Sequence, residues 1–78
     1  MRCEIPQVGD KLKIKIHERK GGGFYIGKVL HMATLMDERT FALVKLSRMY
    51  QNEKIQPVDL DRKTMQIPLY VTEVWEFA

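Results

Sequence analysis

Seventy-eight residues, 45 % hydrophobic and 29 % charged, have the proportions of one small globular domain with a thin core; a disordered chain is excluded, and a second domain or a deep pocket has little room. The net charge of +3 is unevenly spread: residues 1–30 hold seven basic against three acidic side chains, residues 31–78 six against seven, so the cationic excess falls in the first third and points to a polyanion or an acidic protein surface as partner. The lone Cys3 closes no internal disulfide, and no apolar run reaches the length of a signal peptide or a membrane span, which makes a soluble chain in a reducing, cytoplasmic compartment the expectation, with no membrane among its partners.

Along the chain, Pro6 and Gly9-Asp10 mark an irregular lead-in. From Lys11 to Ile16 the apolar Leu12, Ile14 and Ile16 alternate with Lys11, Lys13 and Lys15, the period-2 pattern of a half-buried strand with its lysines in water. His17 to Gly23 reads as a flexible connection ending in three glycines. Residues 24–35 read as a second strand, with Phe24, Ile26, Leu30 and Met32 on one parity and Tyr25, Val29 and His31 on the other; Gly27 inside it predicts a bulge or a close backbone approach. The leucine, methionine and alanine of Val29 to Met36 leave a helix as the alternative there.

Asp37-Glu38-Arg39 interrupts the apolar pattern and suits a hairpin turn, from which "TFALVKL", Thr40 to Leu46, returns as a third strand. Ser47 to Glu53 reads as a loop or one helical turn, Lys54 to Val58 as a short fourth strand with Pro57 at an edge or an end, and residues 59–63, "DLDRK", as a turn. In the tail, Ile67, Leu69, Val71, Trp75 and Phe77 share a parity that Glu73 interrupts, the mark of a last strand with Pro68 at an edge and a kink near Glu73. About five short antiparallel strands result, and so short a chain avoids bare sheet edges most simply by curling into a small all-β barrel of the SH3-like kind.

"VGDKLKIKI" at residues 8–16, with "GKV" at 27–29, resembles the opening of SH3-like small barrels of the KOW type, where a Gly-Asp pair precedes an alternating strand and a Gly-x-Val step sits in the next. The resemblance covers the first third of the chain. It implies a module that binds RNA, a ribosome or an RNA polymerase, and no enzyme.

The residues themselves lead to the same class. Alternate strand positions lie about 6.6 to 6.8 Å apart on one face, so Lys11, Lys13 and Lys15 form a row able to follow phosphates, and Arg19, Lys20 and Lys28 extend it if the hairpin folds back. Tyr25, beside the glycines and the cations, is the aromatic expected to stack on a base. The competing explanation is solubility: lysines on the wet face of an edge strand block sheet-to-sheet pairing. Most of the seven aromatic residues are expected to be structural, with Phe24, Phe41, Trp75 and Phe77 in the core.

Other constellations fall short. Gly22, Gly27 and Lys28 match most of the nucleotide-binding phosphate loop, yet Val29 stands where the motif needs a hydroxyl and the surrounding pattern is that of a strand. His17, His31 and Cys3 have no metal-ligand spacing, and Ser47, the only serine, lacks a base in any recognisable arrangement. Neither a metal, a cofactor nor an enzyme activity is expected. The sequence thus supports a non-catalytic module that binds RNA or DNA through Lys11, Lys13, Lys15, Arg19, Lys20, Tyr25 and Lys28. The alternative is a protein-interaction or inhibitory module docking on an acidic protein surface, through the same face or through Met49, Tyr50, Tyr70 and Trp75; a homo-oligomer joined by an edge strand is compatible with either.

Overall fold

The computed structural model describes residues 5–78; Cys3, on which the compartment expectation partly rests, lies outside them. Strands form where the β-rich segments stand: β1 Lys11–Lys15, β2 Phe24–Thr34, β3 Thr40–Gln51, β4 Lys54–Ile55, β5 Thr64–Pro68 and β6 Trp75–Phe77. Among the described residues the helical content is one 3-10 turn, Glu18–Lys20, and no helix is long and apolar enough to cross a membrane. Every pairing is antiparallel. The sheet runs in the order β6-β1-β2-β3, with β5 and the two-residue β4 sharing the other edge of β3.

The sheet curls into a half-barrel, so the expected small all-β barrel is the fold, built of five main strands and the β4 addition. Curling encloses Leu12, Ile14, Val29, Ala42, Val44, Leu46, Ile67 and Leu69, against which Tyr25, Met32, Met65 and Trp75 pack. Among the described residues no polar or charged side chain is buried, so the core is held by apolar burial alone, about 1.5–3 kcal/mol for each large side chain fully removed from water. Where no ladder joins the two ends of the sheet order, the Trp75 indole N–H donates to the Leu69 carbonyl at 3.1 Å.

β1 follows its alternation: Leu12 and Ile14 are buried, and Ile16 beyond the strand is half-buried. Register then decides β2. Leu12 stands opposite Gly27 and Ile14 opposite Tyr25, so Gly27, Tyr25 and Val29 take the inner face, and Phe24 and Ile26 the outer one. The inward placement expected for Phe24 is therefore corrected. The pairing slips between Val29 and His31, which leaves Leu30 as an extra residue; this bulge returns Met32 to the core side and leaves Leu30 exposed. A strand, not a helix, occupies residues 29–34.

A second slip, between Ile26 and Gly27, puts the extra residue in β3 at Ser47, whose hydroxyl donates to the Ile26 carbonyl at 3.0 Å. Gly27 is also where the backbones approach most closely, since a Cβ there would collide with the Val44 side chain and the Lys45 carbonyl. Both features expected of this glycine are present.

Downstream, several boundaries move. Residues 47–51 continue β3 instead of looping, because the chain reverses at Asn52 and Glu53, whose φ values of 53° and 63° fit a two-residue hairpin turn with both central residues left-handed. The fourth strand shrinks to Lys54–Ile55. The tail forms two strands, β5 and β6, separated by turns at Leu69–Tyr70 and Thr72–Glu73, and Phe41 and Trp75 are half-buried while Phe77, on the last edge strand, is 41 % exposed. The triple glycine is not a loose tip. Gly21, Gly22 and Gly23 all have positive φ, and the Gln51 side-chain amide donates to the carbonyls of Lys20 at 3.2 Å and Gly22 at 3.1 Å.

Candidate nucleic-acid interface

Charge is sorted by secondary structure. Among the described residues, Asp10, Glu18, Asp37, Glu38, Glu53, Asp59, Asp61 and Glu73 lie in turns and connections, and Glu76 is the one carboxylate on a strand. Aspartate is at home in turns, where it bonds nearby backbone N–H groups, as Asp10 does to Gln7 and Asp59 to Asp61. Lys11, Lys13 and Lys15 of β1, Lys28 of β2 and Lys45 and Arg48 of β3 take outward strand positions. The convex outer face is consequently far more cationic than the net charge implies.

Register turns these cations into a row across the strands. Lys11 in β1 is directly opposite Lys28 in β2, and Lys28 is directly opposite Lys45 in β3. With strands spaced about 4.7–4.9 Å apart, the row spans roughly 10 Å. Arg48 stands in the adjacent row, opposite Ile26, because the Ser47 bulge keeps it on the outer face. Lys11, Ile26, Gly27, Lys28, Lys45, Ser47 and Arg48 line a shallow depression of about 430 Å³. Among the described residues, the ion pairs are Lys13–Glu76 and Arg39–Asp37, so no described carboxylate sits on Lys11, Lys28, Lys45 or Arg48. Like charges directly opposite one another in a sheet oppose folding; this row contains two such pairs in succession.

The residues expected from sequence are divided by the structure. Lys11 and Lys28 are in the depression. Lys13 is drawn aside: its ammonium lies 3.4 Å from Glu76 and 4.2 Å above the centre of the Phe24 ring, which stacks on Tyr50 at 5.0 Å. Lys15 and Lys20 border a second hollow at the other end of β1, and Arg19 is exposed on the 3-10 turn and lines neither. Tyr25 is on the inner face opposite Ile14 and Met49, not beside the lysine row. The continuous line along β1 is replaced by a line across β1, β2 and β3.

The second hollow, about 300 Å³, is lined by Lys15, Ile16, His17, Lys20, Tyr25, Met49 and Met65. His17 Nδ1 accepts the Arg19 backbone N–H at 3.0 Å, which leaves Nε2 as the protonated nitrogen of the neutral ring.

Lys45, Arg48 and Ser47 were not singled out from the sequence. In "TFALVKL" Lys45 shares its parity with Phe41 and Leu43, so alternation alone did not point it outward, and neither its pairing with Lys28 nor the bulge at Ser47 has a local signature. Of the residues suggested for docking a protein, Met49 lines the second hollow, Tyr50 stacks on Phe24 and Trp75 is bonded to Leu69; Tyr70 is exposed, with Phe41 edge-on at 5.5 Å. Gly27 and Lys28 lie in the middle of β2, away from any helix start, so the partial phosphate-loop match has no counterpart in the fold. Among the described residues no three metal-ligating side chains come together.

Fold and site together define a small half-barrel with an apolar interior and a cationic convex face. No protein-family model, no curated protein and no solved structure matches the chain.

Proposed function

We propose that this chain is a non-catalytic module that binds the phosphate backbone of nucleic acid on the convex face of β1, β2 and β3. The observation that carries the reading is the run Lys11, Lys28, Lys45, three lysines directly opposite one another with Arg48 beside them, around a depression that no described carboxylate lines. A soluble outer face needs polar residues, but it does not need like charges in register, which cost stability. An anion seated in the depression relieves that repulsion. Successive phosphates of one strand supply it without any base being read, so binding is sequence-tolerant. The Ser47 hydroxyl, already donating to Ile26, fits a structural part for the only serine.

Four neutralised phosphates give a fall of log K with log salt of roughly −3 for a single strand. Fluorescence anisotropy of a labelled oligonucleotide against the Lys28→Gln/Lys45→Gln variant tests the proposal. The salt slope is expected to flatten by roughly 1.4 and affinity at low salt to fall steeply, while Lys54→Gln, on the small β4, leaves both unchanged. Unaltered binding in the double variant removes the mechanism. Absence of oligonucleotide binding, together with stoichiometric capture of an acidic protein, replaces the proposal with the protein-docking alternative.

A further inference from the structure

The second hollow has a composition that the phosphate row does not use. Its apolar lining, Ile16, Tyr25, Met49 and Met65, is adaptable through the two methionines. Its polar lining is Lys15, Lys20 and His17, whose Nδ1 accepts the Arg19 N–H. No described carboxylate lines it. Mostly apolar walls with a few convergent polar groups are the make-up of a small-ligand pocket, and about 300 Å³ is at the lower end of the roughly 300–1,000 Å³ such pockets occupy. The matching ligand is small, with a planar apolar body and an anionic or acceptor-rich end.

Lys11 and Lys15 are the two ends of β1, roughly 13 Å apart along the strand; the depression at the Lys11 end lies on the outer face, whereas the hollow at the Lys15 end takes in Tyr25 and Met49 of the inner face. From this lining we infer that the chain takes single-stranded nucleic acid, with one unstacked base lodged against Tyr25, Met49 and Met65 and the phosphate next to it held by Lys15 and Lys20. The inference rests on the phosphate reading above and adds strandedness to it. A duplex keeps its bases paired and stacked and has none to offer; a single strand does, and an aromatic floor accepts any base because every base has a π-face.

The test compares three probes of equal phosphate count: a short oligodeoxythymidylate, an abasic oligomer and a duplex. The thymidylate is expected to bind about five- to a hundredfold tighter than the abasic oligomer, the range set by one base stacked on an aromatic side chain. That advantage disappears in Tyr25→Leu, which keeps an apolar floor, while abasic binding is unaffected. In the wild-type chain the ε-methyl resonances of Met49 and Met65 shift with thymidylate and stay in place with the abasic oligomer, a readout that needs no variant to fold. Equal affinity for thymidylate and abasic oligomer with unmoved methyls, or tighter binding of the duplex, overturns the single-strand inference and leaves the phosphate reading intact. No binding of any probe at low salt overturns both.

Discussion

Gly27 and Lys28 are neighbours in β2 and face opposite sides of the sheet. On the inner side, Gly27 sits in a row between Leu12 and Leu46, where even a methyl group has no room. On the outer side, Lys28 sits between Lys11 and Lys45, where three ammonium groups share open space without a described carboxylate among them. The same strands and the same ladder support both rows, one residue apart. The inner row is arranged for burial, and every contact in it favours the folded chain. The outer row, with like charges in register, works against folding, which is why it is proposed as a binding surface and the inner row as a scaffold.

Substitutions on each side test that division. The largest effect is expected for Leu12→Ala: Leu12 is 0 % exposed, and emptying such a site costs about 2–5 kcal/mol, a large share of the stability of so small a domain and visible as a steep drop in the midpoint of thermal or urea unfolding. If Leu12→Ala is tolerated with less than about 1 kcal/mol lost, the inner face is not the scaffold described here. Next is Gly27→Ala, whose new methyl meets Val44 and the Lys45 carbonyl; overpacking of this kind costs about 1–3 kcal/mol. It also pushes β2 away from β3 beneath the depression lined by Lys11, Lys28 and Lys45, so under the proposed function a loss of oligonucleotide affinity is expected to accompany the loss in urea midpoint.

Lys28→Thr has the smallest effect on stability, and its sign is opposite. Removing the central charge of the row deletes two like-charge pairs and adds a good strand former, so the folded state is expected to gain about 0.2–1 kcal/mol, measured as a rise in unfolding midpoint at low salt. Under the proposed function the same variant is expected to bind an oligonucleotide less tightly in the anisotropy titration. A midpoint that falls instead would mean that Lys28 is held in place by an attractive partner, and the contrast between the two faces would lose its electrostatic half.

Much of the fold was legible in the chain because strands announce themselves locally. The alternation of Leu12 and Ile14 with the lysines, the β-formers of "TFALVKL" and the aspartates of residues 59–63 each describe their own segment, and each took the structure expected of it. Errors gathered where the pattern depends on a partner. Leu30 looked inward by parity and stands outside because an extra residue interrupts the ladder with β3; Phe24 looked buried and is stacked on Tyr50 under Lys13. Residues 47–51 looked like a loop and are strand because the reversal comes later, at Asn52-Glu53.

The candidate site divides along the same line. By itself the sequence determined that β1 puts lysines on one parity and apolar residues on the other, since side-chain direction in a strand follows from a period of two. It also determined that carboxylates would collect in turns. Only the tertiary structure decided which cations meet. Lys11, Lys28 and Lys45 are seventeen positions apart in succession and become neighbours through the register of two ladders, and the same register moved Tyr25 to the inner face and drew Lys13 to Glu76. A one-residue slip in a ladder reverses every side chain beyond it, and registers are set by contacts between distant segments, which no local pattern contains.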